Sequence, residues 1–119
     1  MSRRIEKPWG HEEIWAETDA YVGKLLFIRA GHRLSLQHHL VKEETIRVIR
    51  GQMQLELDDS ESVLETIVLG PGDTAHIRPL ARHRMTAVTD CEICEVSTPH
   101  LDDVVRHSDD YGREGTSEP

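Results

Sequence analysis

Short apolar-rich segments separated by turn residues recur along the first hundred positions, and no sustained helical period interrupts them. "EEIWAE" (12–17), "YVGKLLFIRA" (21–30) and "LSLQH" (34–38) come first. "ETIRVIRG" (44–51), "QMQLELD" (52–58) and "SVLETIVLG" (62–70) follow, and "DTAHIR" (73–78), "HRMTAV" (83–88) and "CEICEVST" (91–98) close the series. Strands spaced by ~8–12 residues predict an all-β sandwich or barrel. Gly31, Gly51 and "GPGD" (70–73) supply turn positions open to positive φ. "RGQ" (50–52) reads as a hairpin tip and "DDSES" (58–62) as a polar, mobile loop. Beyond Pro99 the chain turns acidic; a short helix is predicted over 101–107 and disorder over the last five or six residues. No repeat or linker is visible, so the 119 residues read as one domain, with about 7–100 as barrel and 101–119 as tail.

Strand parity then sorts the polar residues. Alternate side chains of a strand point to opposite faces. In "SLQHH" (35–39), Gln37 and His39 share a face and His38 takes the other. In the next strand Glu44 shares its face with Ile46 and Val48, and in "HRMTAV" His83 shares its face with Met85 and Ala87. A carboxylate or imidazole in line with apolar residues is what a ligand at the mouth of a filled barrel looks like. Gln37, His39, Glu44 and His83 therefore form one candidate set aimed into a common interior. Imidazole nitrogen with amide or carboxylate oxygen suits a divalent ion, zinc first, with manganese, iron or nickel as alternatives. The ordinary alternative is four satisfied or exposed polar groups. Arg84 has the opposite parity to His83 and is expected to point away.

Composition narrows the classes. Charged residues make up 30% and the net charge is −8, which argues against a nucleic-acid partner, whose phosphates would be repelled. No secretory signal or apolar run long enough to span a bilayer is visible, so a cytoplasmic location is expected. Cys91 and Cys94 lie on a strand pattern with opposite parity, and read as buried core thiols in a reducing compartment.

The spacing of Gly31, Gln37, His39, Glu44 and Gly51 resembles the first motif of the cupin family, with Gln37 where a first histidine is usual. The run from Gly72 through "DTAHI" and Arg78-Pro79-Leu80-Ala81-Arg82 to His83 resembles the second motif. There Arg78, Leu80 and Ala87 stand where Pro, Gly and Asn are expected. "KPWG" (7–10), "GHRLSLQHH" (31–39) and "DDVVRHSDDYGR" (102–113) are similar to the small cupins named for mannose-6-phosphate isomerase, and to the isomerase domain of bifunctional mannose-phosphate guanylyltransferases.

The resemblance implies a cupin double-stranded β-helix, a jelly-roll barrel with a short C-terminal tail. It implies Gln37, His39, Glu44 and His83 as metal ligands, and a metal-dependent aldose–ketose isomerase acting on a sugar phosphate. That reaction moves a proton between C1 and C2, and the candidate bases are Lys24, His76 and Glu95. Arg78, Arg82 and Arg113 are the candidate phosphate contacts, with Tyr111 closing over the cavity or onto a neighbouring subunit. Trp9 and Trp15 read as covers for a barrel edge, Trp9 alternatively as a stacking face for a sugar. The competing functions are a metal-dependent dioxygenase or lyase, against which Gln37 weighs, and a non-catalytic sugar-binding or regulatory cupin. Edge strands in so short a chain, and the habit of small cupins, imply a homodimer.

Overall fold

The computed structural model describes residues 2–58 and 63–116. All nine expected strands are present: β2 (Gly10–Glu17), β3 (Val22–Ile28), β4 (Leu36–His38), β5 (Glu44–Arg50), β6 (Met53–Asp58), β7 (Leu64–Leu69), β8 (Thr74–Ile77), β9 (His83–Ala87) and β10 (Cys91–Ser97). Three more were not expected: β1 (Arg3–Lys7), β11 (Val105–Ser108) and β12 (Gly115–Thr116). The helix expected over 101–107 is absent. Val105 pairs with His38 and Arg106 with Gln37 instead, so the segment becomes a strand beside β4. Gly115 and Thr116 pair with β11, which removes them from the expected disordered end. The mobile-loop expectation for 58–62 lies outside the described residues except at Asp58, which ends β6, and the rest of the disordered-end expectation falls at 117–119, also outside them.

Two six-stranded sheets form, ordered β1-β2-β3-β10-β5-β8 and β12-β11-β4-β9-β6-β7. The paired strands of both sheets run antiparallel throughout, as a jelly roll requires. "RGQ" is not a hairpin tip. β5 and β6 belong to different sheets, and Gly51 turns the corner between them at φ 89°. A Cβ there would lie 2.2 Å from the Asp90 carbonyl oxygen, so only glycine fits this crossing.

The inward parity of the strands changes character along their length. Leu26, Ile28, Ile46, Val48, Met85, Ala87 and Ile93 are buried in the hydrophobic core between the sheets. One or two steps further along the same strands, the inward positions are Lys24, Glu44, His83 and Glu95, each 5% exposed or less. Register keeps these together: Glu95 faces Lys24 across β3 and Ile46 across β5. The apolar part supplies the burial free energy, ~25 cal/mol per Å² of apolar surface. The charged part has to be justified by what it holds. Among the described residues no helix is long and apolar enough to cross a membrane.

Candidate metal centre

His39, Glu44 and His83 converge inside the vessel, with one ligand atom of each within 4.8 Å of the others. Glu44 opens β5 and His83 opens β9, both at the polar end of their inward rows. Gln37 is the direct cross-strand partner of His83, which puts the two side chains on one face, and Gln37 lines the same cavity. Ser35 donates its hydroxyl to Gln37 Oε1 at 2.8 Å.

The histidine tautomers follow from their partners. His39 Nδ1 lies 2.5 Å from the Asp103 carbonyl oxygen, and His83 Nδ1 lies 2.9 Å from that of Ala81. A carbonyl only accepts, so each Nδ1 carries the proton and each Nε2 presents a lone pair. Those two Nε2 atoms stand 3.7 and 3.3 Å from Glu44 Oε1. Both are buried without a hydrogen-bond partner. Three acceptors thus face one another in a buried site. An added proton would satisfy one contact and leave an imidazole nitrogen bare, whereas a cation between them satisfies all three. The residues present therefore fit a divalent ion, with oxygen from Gln37 as a further donor of compatible hardness.

Next to the ligand set runs a buried row of alternating charge. Lys42 Nζ lies 3.2 Å from Glu44 Oε2 and 3.0 Å from Glu95 Oε2. Lys24 Nζ lies 3.9 Å from Glu95 Oε2 and 3.4 Å from Glu12 Oε2. Lys42 therefore forms ion pairs with both buried carboxylates. Burial alone would raise the Glu44 carboxyl, but the Lys42 ammonium holds it well below the ordinary range. For Glu95, burial and then the neighbouring Glu44 charge push the carboxyl up, against Lys24 and Lys42. Burial pulls Lys42 down, yet Glu95 and Glu44 together raise it above its ordinary value.

This site opens into a cavity with about 60 Å³ for the centres of water molecules, several water positions at ~10–15 Å³ each. Its lining carries five cations (Lys7, Lys24, Lys42, Arg106, Arg113) against three carboxylates (Glu12, Glu44, Glu95). A chain of net charge −8 has gathered positive charge here.

Of the base candidates, Lys24 and Glu95 line this cavity and His76 does not. His76 is exposed and its Nε2 contacts Glu43 at 2.5 Å, because its parity on β8 is opposite to that of the buried Ile77. Arg78 and Arg82 also lie outside the lining. Arg78 is exposed, and Arg82 places its guanidinium fork on Asp58 of β6 at 3.0 and 2.9 Å. Arg113 does line the cavity, while Tyr111 packs against the core and meets His32 Nδ1 at 3.0 Å. Trp9 is a core residue and a cavity wall at 2% exposure rather than an edge cover; Trp15 is exposed, its ring lying against Gly23. Cys91 is buried but Cys94 is only half-buried, on the outward side of β10. Arg84 points away from His83 as expected, yet it is buried, donating to the Leu34 and Ser108 carbonyls.

Glu12, Lys42 and Arg106 were missed from sequence. The signal was parity: Lys42 stands two residues before Glu44, and Glu12 two before the buried Ile14. Arg106 carried none, because its segment reads as helix or tail.

A model of the family described as Mannose-6-phosphate isomerase C-terminal matches residues 1–109. The chain is 28% identical over 116 residues to mannose-1-phosphate guanylyltransferase of Escherichia coli (strain K12), covering 95% of this chain and 24% of that protein. It thus spans about a quarter of the length of this curated relative. Among solved structures, KdgF from Halomonas sp. superposes with a TM-score of 0.69 at 19% identity, over 83% of this chain and 86% of that one. A point mutant of Bacillus subtilis oxalate decarboxylase superposes at 0.80 and 13% identity, over 89% and 30%. These likenesses show the cupin fold.

Proposed function

The chain belongs to the mannose-6-phosphate isomerase C-terminal family, and from that premise we propose that it is a metal-dependent isomerase interconverting an aldose and a ketose sugar phosphate. The observation that carries the reading is the convergence of His39 Nε2, His83 Nε2 and Glu44 Oε1 within 4.8 Å of one another, at the wall of a cationic cavity. A divalent ion, which these three and Gln37 would hold, would supply Lewis-acid polarisation of the carbonyl and hydroxyl oxygens of the sugar. Zinc is the first expectation for this donor set; a related Bacillus subtilis oxalate decarboxylase structure concerns Mn(II) centres, and manganese is the second.

The remaining work falls to the chain's own residues. Glu95 moves the proton between C1 and C2 at its carboxylate, with Lys42 and Lys24 on either side stabilising the anionic form. Glu12 holds Lys24 in place from the far side. Trp9, Leu26, Leu34 and Met85 line the cavity with apolar surface and exclude bulk water, which strengthens every charge interaction inside.

The test is elemental analysis of the purified chain followed by turnover assays of the metal-loaded protein on mannose 6-phosphate and a panel of hexose and pentose phosphates. One ion per chain and isomerisation abolished by Glu95→Gln are the expected results. Metal retained with no turnover on any member of the panel would sink the catalytic reading and favour a sugar-binding module, a role that suits a chain spanning a quarter of a guanylyltransferase. Oxygen consumption with bound iron would favour the oxygenase class.

A further inference from the structure

Strands β11, β4 and β9 lie side by side, and Arg106, Gln37 and His83 are successive partners in register across them. Paired residues of antiparallel strands share a face, so the three side chains form an inward row at ~4.8 Å per strand. Arg106, 6% exposed, therefore stands one strand beyond Gln37, on the side away from His83.

Two further cations line the cavity with it, Lys7 from β1 and Arg113 after β11. Arg113 is held rigidly. The Asp109 carboxylate, whose side chain is fully buried, accepts from Arg113 Nε at 2.9 Å, Nη2 at 3.1 Å and the backbone N–H at 2.7 Å. Lys7 is pushed below its ordinary value, first by burial and then by Lys24, Arg113 and Arg106, against the pull of Glu12. Cations crowded together at a cavity wall repel one another, and a bound anion relieves that repulsion. A guanidinium preorganised on Asp109, with a second guanidinium and an ammonium lining the same cavity, suits the oxygens of a phosphate group.

We infer that Arg106, Arg113 and Lys7 form an anion seat that takes the phosphate of a phosphorylated sugar whose carbonyl end lies toward His39, Glu44 and His83. The inference rests on the sugar-phosphate reading for the identity of the ligand, and its test is independent of turnover. It moves the phosphate contact from Arg78 and Arg82, which lie outside the cavity lining, to a wall formed by β1, β11 and the segment after β11.

The experiment is calorimetric titration of the chelator-treated full chain with inorganic phosphate, so that a bound metal cannot be the receptor. One saturable site is expected, weakened as ionic strength rises and weakened at least tenfold in Arg113→Gln and in Lys7→Gln. Mannose 6-phosphate should compete and mannose should not. Arg106→Gln is expected to abolish binding; should that buried substitution prevent folding, the two variants at half-buried positions carry the test. No phosphate binding by the wild type, or wild-type affinity in both Lys7→Gln and Arg113→Gln, would overturn the seat. Intact phosphate binding without isomerase turnover sinks the catalytic reading alone.

Discussion

Asp103 holds His39 and the loop that follows it at the same time. Its carbonyl accepts from His39 Nδ1 at 2.5 Å, while its carboxylate accepts from the backbone N–H groups of Leu40 at 2.9 Å, Val41 at 2.7 Å and Lys42 at 2.9 Å. Hydrogen bonds to a charged acceptor contribute ~1.5–3 kcal/mol each, and water recovers part of this for the exposed Leu40 and Val41. Asp103→Ala should therefore lower stability by about 2–3 kcal/mol in urea unfolding. Metal affinity, read by chelator competition, should fall ~10–100-fold, as is usual when support for a ligand is lost. An unchanged affinity would mean that the loop does not position His39.

Acid should destabilise the fold through a small set of carboxylates. Burial would raise Asp103 and Asp109, but the backbone N–H groups of 40–42 and the Arg113 contacts bring both below their ordinary value. Asp58 is lowered chiefly by its hydrogen bonds from Arg82. A depressed folded-state value contributes stability that is complete above the unfolded value, ~3.9, and is lost as pH falls through the folded one. Urea midpoints should therefore fall steeply only below about pH 4, and the fall should be shallower in Asp58→Asn. Equal slopes in the two proteins would remove Asp58 from the explanation.

Leu80 takes a left-handed conformation, φ 71°, at the position where the second cupin motif expects glycine. Its N–H donates to the His39 carbonyl at 2.7 Å, and its side chain is 62% exposed. The turn holds this left-handed conformation against a cost of ~1–2 kcal/mol for a residue with a Cβ. Glycine gives back ~0.5–1 kcal/mol through the freedom of its unfolded chain. Leu80→Gly should thus raise stability by about 0.5–1 kcal/mol. A lower urea midpoint would show that the leucine side chain packs usefully where it stands.

Lys42 is the only cation within ion-pair distance of both Glu44 and Glu95 among the described residues. Removing one member of a buried charge group leaves the others uncompensated, a loss of ~3–5 kcal/mol. Lys42→Met should lose about that much, and the added Glu95→Gln should recover a substantial part. Strict additivity in the double-mutant cycle would mean that Lys42 and Glu95 do not interact in solution.

How much of this was legible before coordinates depended on periodicity. Nine strands were readable because each carries its own alternation, and parity alone put Gln37, His39, Glu44 and His83 on inward faces. β1 was not readable, since "RRIEK" exposes most of its residues and owes its strand to pairing with β2. β11 was not readable because "VRHS" is short and its one deeply buried side chain is an arginine. Lys24 and Glu95 were readable only as candidate bases for the reaction that the resemblance implies, and Lys42 and Glu12 escaped because they lie just outside or at the start of the recognised segments. Arg78 and Arg82 were misplaced because nearness to His83 in sequence says nothing about which face a turn presents.

The pairing of Arg106 with Gln37, and the hold of Asp103 on a histidine 64 positions earlier, mean that the ligand set is closed by a segment lying beyond the last strand that carries one of its members. Cutting the chain after residue 100 would spare both imidazoles and the amide, yet remove the carbonyl that orients one imidazole and the strand that flanks the amide. The donors are thus local, and their orientation is borrowed from elsewhere in the fold.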